Sequence, residues 1–172
     1  MRSIEKYEEE FRKLSIDKKD KYNAEAAPHK PILLLSLIKL YEEGKVDLSN
    51  IDPESALARS SDLKNLSRDL WRDLGYERTF NITLPFYYLK AEDFWNIKLK
   101  EGFNSPLPKS KKNPTQKDLK ERIDKIYFDS DLVNLLGNEK NRERLMKALL
   151  SGKNLEWFTN EDKRIVKEKM DL

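Results

Sequence analysis

The strongest constraint on the fold is an apolar run directly behind the polar segment Pro28-His29-Lys30-Pro31. Residues 31–41 contain only two polar side chains, Ser36 and Lys39. A helix that is apolar nearly all round must be covered by its neighbours on every side. Proline suits the first turn of a helix, and glycine suits its end. The sequence therefore predicts a buried central helix that opens at Pro31 and stops at Gly44.

Several amphipathic helices are predicted around this one, because apolar residues recur at three- and four-residue spacing. Asp52-Pro53-Glu54 also has the composition of a helix start, with an aspartate cap followed by proline. The predicted helices are residues 3–15, a short helix from Pro53, residues 61–74 closed by Gly75, apolar patterns at 119–127, 132–136 and 145–149, and a charged helix after Trp157-Phe158.

Short strands are predicted at two places. The segment VDLS (46–49) is one candidate. FYYL (86–89) and FWNIKL (94–99) are rich in aromatic and β-branched residues and flank a short connector, which favours a β-hairpin. The order helix, strand, helix, helix, hairpin is that of a winged-helix unit. We therefore expect a mainly α fold with a small antiparallel β-sheet (α+β), a winged-helix-like core and a helical C-terminal extension.

The best internal boundary is the stretch 101–114, which contains one glycine, two asparagines and three prolines. Such a composition is typical of a loop. It predicts a recognition domain over residues 1–112 and a helical extension over residues 113–172, packed on the same domain.

The residue inventory removes several enzyme classes. The chain has no cysteine, which excludes disulfides, thiolate metal sites and a cysteine nucleophile. His29 is the only histidine, so an HNH nuclease site and any two-histidine metal site are excluded. The chain also lacks a G-x-S-x-G elbow and a P-loop. We expect a binding protein with no catalytic residue, metal or cofactor.

A two-metal nuclease needs only carboxylates and a lysine. Matches to its acidic-x-Lys element include the tripeptides that begin at Glu43, Asp62, Asp118 and Glu161. With 31 acidic and 34 basic residues in the chain, this many matches are expected by chance. No match lies on a predicted strand with an aspartate on the adjoining strand. The tripeptides therefore give no reason to assign a metal site.

The charge distribution leans towards polyanions. Net charge is +3, and residues 98–112 carry five lysines against one glutamate. This segment is either a solvated linker or an arm that contacts phosphates. The charged N-terminal segment has no signal core, and the longest apolar run is too short to span a bilayer. We expect a cytoplasmic protein with no membrane partner.

Two motifs carry a resemblance to a known family. APHKPILLLSLIKLYEEGKV (27–46) resembles the opening of the DNA-recognition domains attached to HNH-type and other modification-dependent restriction endonucleases. ITLPFYYLKAEDFWNIKL (82–99) resembles their second signature, and DLWRDLG (69–75) lies between them where the family also carries a helix. Within this group the sequence is most similar to the sulfur-binding domain, which recognises phosphorothioate DNA. The resemblance covers roughly residues 20–110.

The resemblance implies which residues form the pocket. His29 and Lys30 would lie beside the modified phosphate, and the ring of Pro85 would press on the sulfur. Leu84 stands where the family usually has tyrosine, Tyr88 where it often has a small residue, and Lys30 where it often has arginine. The pocket stays apolar and basic, although lysine cannot provide the bidentate grip of arginine.

Elementary chemistry agrees with such a pocket. Sulfur is larger and softer than oxygen and accepts hydrogen bonds poorly, so a reader of sulfur should offer it apolar surface. Donors and a positive helix N-terminus should face the remaining oxygen. Given DNA binding, the phosphate-contact candidates are Lys109, Lys111 and Lys112, and the candidate base readers are Arg78, Asn81, Asn104, Ser105, Tyr22 and Asn23.

Alternative functions stay open at this point. His29 could be a structural hydrogen-bonding residue, and Pro85 could begin an edge strand. The scaffold could read a modified base or plain sequence through the helix at 61–74. The chain could also be a metal-dependent nuclease, or a protein-interaction module that uses the segment after residue 114. The leading expectation is a targeting module that binds phosphorothioate-modified double-stranded DNA and works with a nuclease domain or subunit outside this chain.

Overall fold

Helix α2 (His29–Glu42) forms the centre of the fold, as the apolar run requires. The structure, a computed structural model, describes residues 2–14, 28–151 and 158–172. Apolar side chains from Ile32 to Ile38 on α2 have no exposed surface. Just beyond the helix, Gly44 takes a φ of 72°, which glycine adopts without steric cost. The predicted buried helix is confirmed, although it begins two residues before Pro31.

Helix α2 packs against α4 (Asp62–Asp73), α5 (Thr83–Tyr88) and α8 (Glu139–Leu149). The helices besides α2 are α1 (Ile4–Arg12), α3 (Pro53–Ala56), α4 (Asp62–Asp73), α5 (Thr83–Tyr88), α6 (Gln116–Arg122), α7 (Ser130–Leu136), α8 (Glu139–Leu149) and α9 (Asn160–Met170). A 3-10 turn at Leu89–Ala91 follows α5, and the strands are β1 (Trp95–Leu99) and β2 (Ile123–Phe128). The fold is mainly helical with a small two-stranded antiparallel sheet, so the predicted α+β class is confirmed.

Side-chain caps explain several of the helix starts. The Ser61 hydroxyl accepts a hydrogen bond from the backbone N–H of Lys64 and begins α4. Asp52 accepts from the N–H of Glu54 at 3.1 Å, and Pro53 takes the first position of α3, as predicted. Helix α4 buries Leu63, Leu70 and Trp71 on one face. The predicted helix at 61–74 is therefore confirmed.

The predicted hairpin between FYYL and FWNIKL is wrong. Its first half lies in α5 and the following 3-10 turn, and β1 pairs with β2 instead. The physical reason lies in the spacing of the buried residues Ile82, Phe86 and Leu89, which follow the helical period. Proline in the first turn is also compatible with a helix. The winged-helix arrangement stays a prediction, without the hairpin on which it was based.

Two further element predictions are wrong. The pattern at 119–127 is not one helix, because α6 ends at Arg122 and β2 follows at once. Residues 123–128 are rich in β-branched and aromatic side chains, and on β2 Ile126 and Phe128 are buried while Tyr127 between them is exposed. The segment 46–49 forms no strand; nearby, Ile51 makes an isolated bridge to Ile126.

Residues on the two sides of the predicted boundary at 112 share one sheet and one core. The antiparallel register joins Trp95 to Phe128 and Ile97 to Ile126. Helix α1 packs against α7 and α8. The Glu8 carboxylate accepts a hydrogen bond of 2.6 Å from the Arg144 guanidinium. The extension therefore supplies one of the two strands and covers α1.

Polar contacts fix the N-terminal helix to the turn after β2. The backbone N–H of Arg2 donates to Asp131, and its guanidinium donates to Asp129, each at 2.9 Å. Tyr7, which has no exposed surface, donates its hydroxyl to Asp129 at 3.1 Å. Across the described ranges, no helix has both the length and the apolar character needed to cross a membrane.

Candidate nucleic-acid interface

The fold brings the two motif segments together. Helix α2 begins at His29 and packs against α5, which carries the Leu-Pro-Phe part of the second motif. Lys30 Nζ lies 3.3 Å from the Glu92 carboxylate, just after the 3-10 turn. The side chains of Lys30 and Glu92 are only 12% and 11% exposed, so this ion pair lies largely out of water. The two segments are thus joined by packing and by charge.

His29 lies against aromatic rings at the N-terminus of α2. Its ring centroid is 4.8 Å from that of Trp71 and 5.8 Å from that of Phe80, with the Phe80 ring stacked on it. The Tyr76 ring stacks on the Trp71 ring, with their centroids 4.0 Å apart. We call the rings of Trp71, Tyr76 and Phe80 the aromatic wall. His29 itself is half-buried. The aromatic wall fixes the imidazole at a helix end whose first turn carries no acidic residue, where an anion is favoured.

The remaining pocket residues lie on α5 with different exposures. Pro85 is buried in the first turn, and Leu84 and Tyr88 are half-buried. The Tyr88 hydroxyl donates to Asn113 Oδ1 at 2.5 Å, which ties α5 to the loop after β1. Leu84 and Tyr88 therefore offer apolar surface near α2. The Pro85 ring can touch a ligand only if the groups that cover it move.

The candidate base readers occupy two loops. Arg78 is exposed, and its guanidinium carbon lies 5.3 Å from the Trp71 ring centroid. Asn81 is exposed, and its side-chain oxygen accepts a hydrogen bond of 3.2 Å from the N–H of Thr83, the first residue of α5. Asn104 is exposed, whereas Ser105 is half-buried and accepts from the N–H of Leu107 at 3.1 Å. Arg78 therefore contacts the aromatic wall beside His29.

The lysine-rich loop divides into exposed and anchored positions. Lys109 and Lys112 are exposed. Lys111 forms an ion pair of 2.8 Å with Asp118, near the start of α6. Burial acts to raise the pKa of Asp118, but hydrogen bonds from Lys111 and Thr115 outweigh it and hold the pKa below its usual value. Lys111 therefore anchors the loop to α6 although it is 41% exposed, and Lys109 and Lys112 are exposed as well.

Two predicted DNA-contact residues, Tyr22 and Asn23, lie outside the described residues. Sequence reasoning missed Glu92 as the partner of Lys30 and Asn113 as the partner of Tyr88. An acid inside a basic and aromatic motif was the available signal for Glu92. Nothing in the sequence distinguishes Asn113 from the other asparagines. Among the described residues no group of three or more His, Asp or Glu is placed to hold a metal ion.

The comparisons with known proteins give no family for this chain: no protein-family model matches it, and no curated protein matches it.

Proposed function

We propose that this chain binds phosphorothioate-modified double-stranded DNA and directs a restriction nuclease located on another domain or subunit to it, in the cytoplasm. One observation carries the proposal. The two motif segments that resemble a sulfur-binding domain lie far apart in sequence, yet they pack together and are joined by the Lys30–Glu92 ion pair. The two motif segments can form one pocket only if they lie side by side in this way.

The residues where α2 and α5 pack together favour an anionic ligand that has an apolar part. His29 and the N-terminus of α2 supply donors and positive potential. Leu84 and Tyr88 supply apolar surface on α5. In this proposal Lys30 acts mainly through Glu92, holding α2 and the second motif in register, and His29 is the direct phosphate contact.

The deciding experiment compares two duplexes that differ by one sulfur atom. Fluorescence anisotropy at about 0.1 M salt should show tighter binding to the phosphorothioate duplex by roughly ten- to two-hundred-fold, the value of one well-packed apolar contact. Equal affinity for the two duplexes would contradict sulfur recognition and would favour a reader of plain sequence.

Pro85 provides the test of mechanism. In this proposal the groups that cover Pro85 move aside when DNA binds and its ring meets the sulfur beside Leu84 and Tyr88, so Pro85→Ala should reduce the preference for sulfur and leave affinity for the unmodified duplex unchanged. Alanine is the better replacement here because glycine inside a helix costs about 1 kcal/mol. Pro53→Ala is the matched control, since Pro53 is also a buried proline in the first turn of a helix but lies outside both motifs. Loss of preference in both variants would show a general folding effect.

In this proposal the chain does not cut DNA. Incubation with plasmid DNA and Mg²⁺ or Mn²⁺ should therefore leave the plasmid intact, with or without phosphorothioate. Divalent-dependent cleavage that survives repurification would instead show a nuclease.

A further inference from the structure

A cluster of cations lies on the face formed by α4, α6 and the residue after β1. The ammonium group of Lys64 on α4 donates to the side-chain oxygen of Gln116 on α6 at 2.8 Å. The ammonium group of Lys100 donates to the backbone oxygen of Lys120 on α6, also at 2.8 Å. Arg68 lies one helical turn after Lys64 and so shares its face of α4. We call these four cations, Lys64, Arg68, Lys100 and Lys120, the α4–α6 basic surface.

Among the described residues, no carboxylate pairs with the basic surface. None of its four cations forms an ion pair with a carboxylate in the part of the chain that the structure describes. Both hydrogen bonds within it go to neutral oxygens. Three acids, Asp69, Glu101 and Glu121, each directly follow one of the cations in the sequence. Adjacent helical positions do not face each other, which keeps Asp69 and Glu121 away from Arg68 and Lys120, and Glu101 forms no ion pair with Lys100 among the described contacts.

The pKa of Lys64 lies below its usual value, first because of burial and then because of the neighbouring cations. Burial lowers its pKa, and the positive charges of Lys120 and Arg68 lower it further. Folding therefore holds like charges together at an electrostatic cost, which a bound polyanion would relieve.

The basic surface is connected to the motif site through the loop at 101–114. Tyr88 holds Asn113 from the α5 side, and Lys111 holds Asp118 on α6. The exposed residues Lys109 and Lys112 lie close to these two anchors in the sequence. The end of this loop is therefore attached both to α5, which carries the second motif, and to α6, which carries Lys120.

We propose that the α4–α6 basic surface contacts the phosphate backbone of double-stranded DNA and forms a second contact area beside the site at His29. This inference rests on the proposed DNA binding, but not on recognition of sulfur. A lipid surface is the weaker fit, because Tyr127 on β2 is the only exposed large hydrophobic residue in the described ranges, and the basic surface therefore lacks an apolar anchor.

The test removes charge from the basic surface and follows the salt dependence of binding to an unmodified duplex. Each phosphate contact adds about 0.9 to the slope of log affinity against log salt, or about eightfold in affinity at 0.1 M relative to 1 M salt. The triple variant Lys64→Gln, Arg68→Gln, Lys120→Gln should lower the slope by up to about 2.7 and weaken binding at 0.1 M salt by on the order of 10²-fold. The two proteins should converge as salt approaches 1 M.

The matched control removes the same charge from another face. Lys6, Lys140 and Lys147 are exposed on α1 and α8, and none of them forms an ion pair in the described part of the chain. Changing these three lysines to glutamine should leave the slope within about 0.5 of the unsubstituted protein. An equal loss in both triple variants would overturn the inference, since net charge would then be sufficient.

Two further measurements separate the possible failures. Arg68→Gln with Lys100→Gln changes only exposed residues, so it should keep the fold and still lower the slope by up to about 1.8. An unchanged slope in this double variant and in the folded triple variant overturns the inference, as does binding to phosphatidylserine vesicles that exceeds binding to DNA. A lowered slope without any sulfur preference supports the basic surface and contradicts the proposed function alone.

Discussion

The Lys30–Glu92 ion pair allows a sharp test of which job Lys30 performs. Removing one partner of a buried ion pair leaves an uncompensated charge and costs about 3–5 kcal/mol. The side chains of Lys30 and Glu92 are still 12% and 11% exposed, so the lower end of this range of destabilisation applies. We expect Lys30→Met to lower the free energy of unfolding by about 3 kcal/mol and Glu92→Gln by a similar amount. For a chain of 172 residues, that corresponds to roughly 6–12 °C in Tm.

The double variant is the decisive measurement. If the two charges stabilise each other, Lys30→Met combined with Glu92→Gln should cost much less than the sum of the single changes, giving a coupling of about 2–3 kcal/mol. Urea denaturation followed by tryptophan fluorescence suits this assay, because Trp71 and Trp95 are buried. Purely additive losses would refute a structural role for the pair.

A surface pair provides the control. Lys98 Nζ and the Asp124 carboxylate lie 3.9 Å apart, with side chains 62% and 50% exposed. Their coupling in the same cycle should stay below about 0.5 kcal/mol, as is usual for exposed pairs. If Lys30 served DNA phosphates alone, Lys30→Met would instead weaken DNA binding and leave the urea midpoint unchanged.

Two further predictions concern stability. Burial and the neighbouring Asp129 raise the pKa of Tyr7 above its usual value of 10.0, so the stability that this hydroxyl contributes is complete below pH 10 and is lost as pH rises further. Tyr7→Phe should flatten this alkaline loss in urea midpoints measured between pH 8 and 11, and an unchanged slope would contradict the assignment. Gly75→Ala should cost about 1–2 kcal/mol, because φ is 94° there and no atom within 4 Å adds a clash. Gly137→Ala, at a φ of −67°, avoids the left-handed cost, and its added Cβ would meet the Asn134 backbone oxygen at 3.3 Å. Its loss should therefore be smaller than that of Gly75→Ala, and equal losses at the two glycines would contradict the backbone explanation.

The sequence predicts the long elements well because their signals are local. An almost continuous apolar run predicts the buried helix α2, and a serine cap with apolar residues at helical spacing predicts α4. Short apolar segments are different, since FYYL and IDKIYF satisfy both periods over a few residues. Their states are decided by tertiary partners. β2 is a strand because β1 is available to pair with it, and that partner lies more than twenty residues earlier.

The candidate site was predictable in part and for a different reason. The grouping of His29 with the segment around Pro85 came from a resemblance, and the structure places α2 against α5. The Lys30–Glu92 pair could not be predicted, because sequence reasoning assigns no partner to a charge 62 residues away. The four-residue spacing of Lys64 and Arg68 on a predicted helix indicates that they share one face. That Lys120 belongs to the same basic surface is known only from the folded structure.

The pairing of α1 with α8 also determines when the protein can finish folding. Glu8 and Arg144, which join these helices, are 136 residues apart. At a synthesis rate of about 5–20 residues per second, α1 therefore leaves the ribosome roughly 7–27 seconds before its partner is made. During that interval Tyr7 and Phe11, which have no exposed surface in the folded protein, lack their final cover. Contacts between residues so far apart in sequence form late and slow folding, so the nascent chain should depend on chaperones most strongly before α8 emerges.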